Sequence, residues 1–347
     1  MMMQKIVFIL LLSFTSVFMF AQNENMAPES NSVEETKAQK KSAFQNKREE
    51  FKSNSRKNTT PSQQDELDEI DADLKSLDSE SYEYNLVHYI NGNYDLGRSE
   101  NLFKAYALRP EEKEVQLEMF GYYLLKGDKT NQTKFATILK PNYSALTLDY
   151  YSTLINQDKN VVILTSGQDD SYPAYILQLL ENKGKNVFVI NLDFLQNDVY
   201  RKEICQIVSI NPIKFVGNEK NFVSALVNNS KRPTFVSTTV HQNYCGHLSS
   251  QLYLQGLYYS KDASNQYQNL QSFWENCKKT DLSHLKFKNK SDKQLYSNYL
   301  PPLLLLYKLN KINGVNDTVL KETIRALGTN LGKEKAVIAI LNQYDTE

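Results

Sequence analysis

No stretch of this 347-residue chain carries a common catalytic signature: G-x-S-x-G, H-E-x-x-H, a P-loop and G-x-G-x-x-G are all missing. Those absences argue against nucleophile-elbow hydrolases, zinc proteases, P-loop NTPases and dinucleotide enzymes. Net charge is missing too, with Lys+Arg 40 against Asp+Glu 40. Nucleic acid is therefore not an expected partner, because phosphate binding needs clustered, uncompensated Lys and Arg. Cysteine is scarce, with only Cys205, Cys245 and Cys277 at wide spacings. They spell no disulfide framework; an oxidising compartment permits one bridge and leaves a thiol over, and at least one cysteine reads as a small buried hydrophobe. Beyond the N-terminus no apolar run is long enough for a membrane helix. Leu303 to Leu306 is short and follows Pro301-Pro302.

The N-terminus supplies a targeting signal. Lys5 precedes the apolar run from Ile6 to Phe20, and Phe20-Ala21-Gln22 has the look of a cleavage region. A cleaved signal peptide over residues 1–21 is expected, with an uncleaved anchor as the alternative. No Cys follows the run, so a lipidated anchor is not indicated. The mature chain is expected to be periplasmic or secreted and not membrane-spanning. Residues 22–80 are rich in Asn, Ser, Gln, Lys and Glu, basic from Lys37 to Lys57 and acidic from Asp65 to Asp78. That composition predicts a disordered charged linker, or a charged interaction arm.

The pattern turns helical over 81–156. Tyr82 to Ile90 leads into Gly92-Asn-Tyr94, Asn101 to Leu108 closes at Arg109-Pro110, and Val115 to Leu125 ends at Lys126-Gly127-Asp128. Helix, Gly-x-Tyr turn, helix and Pro resemble a tetratricopeptide pair, although Gly97 stands where a packing Ala is expected; an isolated helical hairpin fits as well. Tyr82, Tyr84, Tyr89, Tyr94, Tyr106, Tyr122 and Tyr123 either line a concave peptide-binding face or pack between helices. Tyr is the unusual count, at 22 against one Trp.

Residues 157–260 alternate strand and helix. Val161 to Ser166 and Val187 to Leu192 are β-branched runs suited to strands buried on both faces, and Thr234 to Val240 is a third. Lys214-Phe-Val216 reads as a short strand. Gly167 to Ser171 reads as a turn, with helices over Tyr172 to Lys183, Asp198 to Ser209 and Asn221 to Val227. The fold class predicted is α/β, a Rossmann-like, mostly parallel sheet flanked by tetratricopeptide-like helical segments. Residues 261–347 read as a C-terminal helical region.

Four blocks in this part resemble a known family. Ser166 to Gln178, SGQDDSYPAYILQ, is similar to the pattern N-G-D-N-D-T-Y-P-L-W-Y-L-Q, and Val189 to Tyr200 to V-I-N-L-S-L-L-N-x-D-W-Y. Arg232-Pro-Thr-Phe235 resembles R-P-I-Y, and Leu252 to Leu257 resembles Y-L-Q-L-E-G-L. The family is the bacterial multispanning O-mannosyltransferase-like membrane proteins, in their envelope-side C-terminal α/β domain of unassigned function. Gln168, Asp169 and Ser171 depart from the family's loop, and the membrane-embedded transferase part has no counterpart here. The resemblance thus implies an envelope-facing α/β domain joined to helical repeats, not glycosyl transfer.

In a parallel sheet the loops at the strands' C-terminal ends form the ligand crevice. Asp169, Asp170, Ser171, Tyr172, Asn191, Asp193 and Asp198 are the candidate ligand-binding residues there. Paired carboxylates would serve acid–base work or a hard cation. The same residues also suit helix caps: Asp170 or Ser171 before Tyr172, and Asn197 or Asp198 before the next helix. His241-x3-Cys245-x-His247 has the residue types of a metal site but lacks a second pair, so no metal or cofactor is expected. With no catalytic set, the expected function is a non-catalytic scaffold or adaptor for another envelope protein. A small-ligand-binding or hydrolytic domain using the acidic strand exits is the alternative.

Overall fold

The computed structural model describes residues 33–55, 59–211 and 219–346. The described residues are mostly helical, arranged around one small mixed sheet with five described strands. Seven helices precede the sheet among the described residues: α1 (Val33–Ser55), α2 (Pro61–Asp78), α3 (Tyr82–Asn91), α4 (Ser99–Leu108), α5 (Lys113–Lys126), α6 (Lys129–Leu139) and α7 (Ala145–Ile155). Their boundaries follow local chemistry. Thr60 and Gln63 form a capping box in front of Pro61, and Ser81, Asp128 and Ser144 cap α3, α6 and α7 with their side chains.

Within the segment 22–80 expected as a disordered linker, the described residues form two helices, α1 and α2. Phe44 and Phe51 on α1, and Leu67 and Leu74 on α2, are each seven residues apart, so each pair falls on one helical face. These four pack with Tyr84 and Val87 of α3 into a small buried cluster. The charges that made the segment read as solvated instead pair between elements. Lys37 meets Asp78 at 2.9 Å, Lys40 meets Asp73 at 2.6 Å, Lys47 bonds Glu66, and Lys41 reaches Glu114 of α5 at 3.0 Å. Residues 1–32, with the expected signal peptide and the start of the linker, lie outside the described residues.

Helix α3 and its successors make a second core. Tyr82, Tyr84, Tyr89 and Tyr94 are buried, and only Tyr106, Tyr122 and Tyr123 of the seven tyrosines keep partial exposure. Most of this aromatic run is packing. Tyr106 and Tyr123 both rest on Phe135 of α6, with ring centroids 5.5 Å and 5.6 Å apart.

The sheet contains β1 (Val161–Thr165), β2 (Val187–Asn191), β3 (Thr234–Ser237), β4 (Tyr253–Leu254) and β5 (Tyr258–Ser260), in the order β2-β1-β3-β5-β4. Strand β1 is parallel to both β2 and β3. The intervening helices are α8 (Gln168–Glu181), α9 (Asp198–Val208) and α10 (Glu219–Asn229). All five residues of β1 are buried, as a strand covered on both sides requires. Val161 and Ile163 face a core built with α7 and the C-terminal helices, while Val162 and Leu164 face α9, α10 and the short α11 (Gln242–Cys245). Helices thus cover both faces of the sheet.

The expected parallel pattern stops at β3. Strand β5 is antiparallel to β3, and β4 is antiparallel to β5, because the three residues that join β4 to β5, Gln255 to Leu257, cannot make the crossover that parallel pairing needs. Strand β3 ends at Ser237, where a turn begins with the Val240 N–H donating to the Ser237 carbonyl at 3.0 Å. The short strand expected at Lys214 to Val216 lies outside the described residues. No helix among the described residues is long and apolar enough to cross a membrane.

Five helices close the chain: α12 (Gln266–Thr280), α13 (Lys290–Tyr296), α14 (Leu300–Ile312), α15 (Thr318–Asn330) and α16 (Glu334–Thr346). Asp345 fastens the last of them, accepting from Lys321 at 2.6 Å, Tyr307 at 2.5 Å and Lys311 at 3.3 Å. The Lys321 ammonium, helped by the Tyr307 hydroxyl, holds the Asp345 carboxyl down at about 2. A folded-state value below the unfolded one gives stability that is complete above the unfolded value of about 4 and is lost as pH falls toward 2. Asp345→Asn should therefore lower stability near pH 6 by about 1 kcal/mol or less, since the group is partly exposed, and match the unsubstituted chain near pH 2. Urea denaturation at the two pH values checks this.

Candidate functional site

Because β1, β2 and β3 run in the same direction, their exits at Thr165, Asn191 and Ser237 emerge along one edge of the sheet. This is where an open parallel sheet places its ligand crevice. Here the edge is laced by internal hydrogen bonds. Asp170 is 6% exposed and lies in the first turn of α8. Its Oδ1 accepts from the Tyr151 hydroxyl at 2.7 Å and the Thr239 hydroxyl at 2.5 Å, and its Oδ2 accepts from the Ser166 N–H at 2.6 Å. One carboxylate thus fastens α7, the exit of β1 and the turn after β3.

Asn191 performs the matching task between β1 and β2. Its Oδ1 accepts from the Gly167 N–H at 3.1 Å and from the Asp193 N–H at 3.0 Å. Gly167 has φ 85° and ψ 178°, a conformation essentially open only to glycine, and this turn leads straight into α8. Thr165 donates its hydroxyl proton to the Ile190 carbonyl at 3.1 Å, so at 2.7 Å it accepts from Ser171. Likewise Thr239 donates to Asp170 and accepts from Ser237 at 2.6 Å. Tyr150 and Thr238 share a hydroxyl bond of 3.0 Å. Burial, reinforced by the neighbouring Asp170 carboxylate, drives the Tyr151 phenol well above its ordinary value, so it stays a donor.

The predicted site residues separate into two groups. Asp170, Ser171, Asn191 and Asp193 are buried at the exits and joined by this chain of bonds. Asp169 is exposed, and Asp198 is exposed and paired with Arg201 of its own helix. Tyr172 turns away from the edge into the helical core, its ring edge-on to Phe120 at 4.9 Å. The expected turn at Gly167 to Ser171 is instead the opening turn of α8, so neither Asp170 nor Ser171 caps a helix beginning at Tyr172. Acids in the first turn of a helix complement its dipole, which is why residues typical of turns are tolerated there. The capping expected of Asn197 is present: its Oδ1 accepts from the Val199 and Tyr200 N–H groups.

Sequence reasoning missed Tyr150, Tyr151, Thr238 and Thr239. The only signals are a Tyr pair in the middle of one helix and a Ser-Thr-Thr run at the end of a strand, neither distinctive in itself. It also missed the link from Gln168 to Glu118 of α5, 2.7 Å long, which ties the helical layer to the sheet.

The histidine–cysteine cluster is dispersed. The His241 ring accepts from the Asn243 N–H at the start of α11, His247 bonds the Ser224 hydroxyl, and Cys245 is buried. Among the described residues no group of three or more His, Cys, Asp or Glu is placed to hold a metal ion. All three cysteines are free and buried, and burial pushes the Cys245 thiol up to about 11 and the Cys277 thiol higher still. A water-soluble disulfide reagent at pH 8 is expected to leave the folded chain unlabelled and to titrate all three thiols after denaturation.

Compared with family models, curated proteins and solved structures, the chain matches none of them.

Proposed function

We propose that this chain is a non-catalytic scaffold or adaptor of the cell envelope, secreted or periplasmic after loss of its signal peptide. Its partner is another envelope protein, a member of a glycosylation or secretion assembly. In this reading the parallel β2-β1-β3 unit is a Rossmann-like domain and the flanking helices are tetratricopeptide-like. One observation carries it: the Asp170 carboxylate, which reaches α7, the exit of β1 and the turn after β3, is used up as a fastening. Three of its roughly four acceptor positions are filled by protein donors, the buried Tyr151 and the half-buried Ser166 and Thr239, which leaves little for a substrate or a cation.

The test is crosslinking in intact cells followed by affinity purification from the envelope fraction. A reproducible protein partner is the expected result, and its absence would defeat the proposal. Asp198→Ala separates this reading from a hydrolytic or small-ligand site built on the acidic exits. The adaptor reading expects partner recovery unchanged, whereas the acidic-site reading expects function lost at an unchanged melting temperature.

A further inference from the structure

Next to the laced edge, where α1, α3 and α5 meet, a small cavity is lined by Arg48, Tyr89, Ile90, Asn93, Tyr94 and Glu118. Its walls are unusually polar for a junction between packed helices: a guanidinium, an amide, a carboxylate and two phenols. Arg48 is held across it, donating through Nη1 to the Ile90 carbonyl and to Asn93 Oδ1, both at 3.0 Å. Tyr89 is 1% exposed, and its hydroxyl has no hydrogen-bond partner among the described residues. A buried hydroxyl left this way is costly, and native proteins normally satisfy such groups with protein or with ordered water. The cavity has room for about one water molecule and offers the two to four polar partners that a buried water needs.

We propose that this cavity is a binding site for a single ordered water that bonds the Tyr89 hydroxyl and bridges it to the charged wall formed by Arg48 and Glu118. The water then belongs to the joint itself, linking α3 to α1 on one side and to α5 on the other.

Tyr172 provides an internal control. It too is fully buried with a hydroxyl lacking a partner among the described residues. That hydroxyl, however, is pressed against α5, so that a Cβ added at Gly121 would clash with it, and Tyr172 does not line the cavity. Phe in place of Tyr172 loses no solvent bond, whereas Phe in place of Tyr89 strands the water.

The experiment is a pair of shape-conserving variants, Tyr89→Phe and Tyr172→Phe, with melting temperatures and a high-resolution crystal structure of the unsubstituted chain. Expected are a lower melting temperature for Tyr89→Phe, an unchanged or higher one for Tyr172→Phe, and one solvent peak within hydrogen-bond reach of Tyr89 Oη. A Tyr89→Phe variant as stable as the unsubstituted chain or more so, no peak, or density too large for water would each overturn the assignment.

Discussion

Asp170→Ala should remove about 3–5 kcal/mol of folding stability, because it strands three donors at once. The Tyr151 hydroxyl, the Thr239 hydroxyl and the Ser166 N–H all end on this carboxylate, in a place where Asp170 itself is 6% exposed. A buried donor left without an acceptor costs about 1–3 kcal/mol; Tyr151 is buried, whereas Ser166 and Thr239 are half-buried, so solvent entering the vacated space recovers part of the sum. Asp170→Asn should fall between, since it keeps one acceptor oxygen but turns an NH2 toward groups that already donate. Urea denaturation measures both. The same substitution has a functional consequence that separates a fastening from a catalyst. Partner recovery by Asp170→Ala should decline only as far as the folded fraction does, and conditions that restore folding should restore it. Asp198→Ala, on an exposed side chain, should change stability by less than about 0.5 kcal/mol. A loss of function in Asp170→Ala at full foldedness would point back to chemistry at the edge.

What the sequence revealed and what it hid divide along a physical line. Strands β1 and β2 were legible because a strand buried on both faces needs a continuous apolar run, and Val161 to Leu164 and Val187 to Ile190 are such runs. Strands β4 and β5 were not, because two or three residues are too few to establish a period, so the change to antiparallel pairing had no local sign. The edge was legible as a place but not as an arrangement. Asp170, Asn191 and Asp193 follow from parallel topology, whereas the groups that occupy Asp170 stand 19 and 69 positions away in Tyr151 and Thr239. No spacing rule spans such separations. The opening of α8 was misread for a related reason: Gly-Gln-Asp-Asp-Ser is turn-like in composition, and only the glycine's positive φ and the tertiary bonds of Asp170 make it a helix start. Helices α1 and α2 were hidden by averaging. Their apolar residues are few, and their charges find opposite partners 41, 33 and 19 residues away, so composition described each half correctly and missed their union.

That union can be broken at one residue. Phe44→Ala should destabilise the docking of α1 by about 3–5 kcal/mol, the usual cost of deleting a fully buried phenyl ring. Phe44 is 1% exposed and belongs to a cluster of six buried residues among the described ones, two of them from α1. Against so small an apolar contact, the loss is comparable with everything else that holds the helix. The ion pairs from Lys40, Lys41 and Lys47 are partly exposed, so each is worth about 0–1 kcal/mol and is weakened by salt; Lys37 is itself buried but pairs with a partly exposed Asp78 carboxylate. The consequence should be local rather than global. Amide hydrogen exchange across residues 33–55 should lose its protection, more completely at high ionic strength, while the amides of β1 and β2 exchange as slowly as before. A disordered linker makes the opposite prediction: those amides would already exchange freely in the unsubstituted chain, and Phe44→Ala would change nothing.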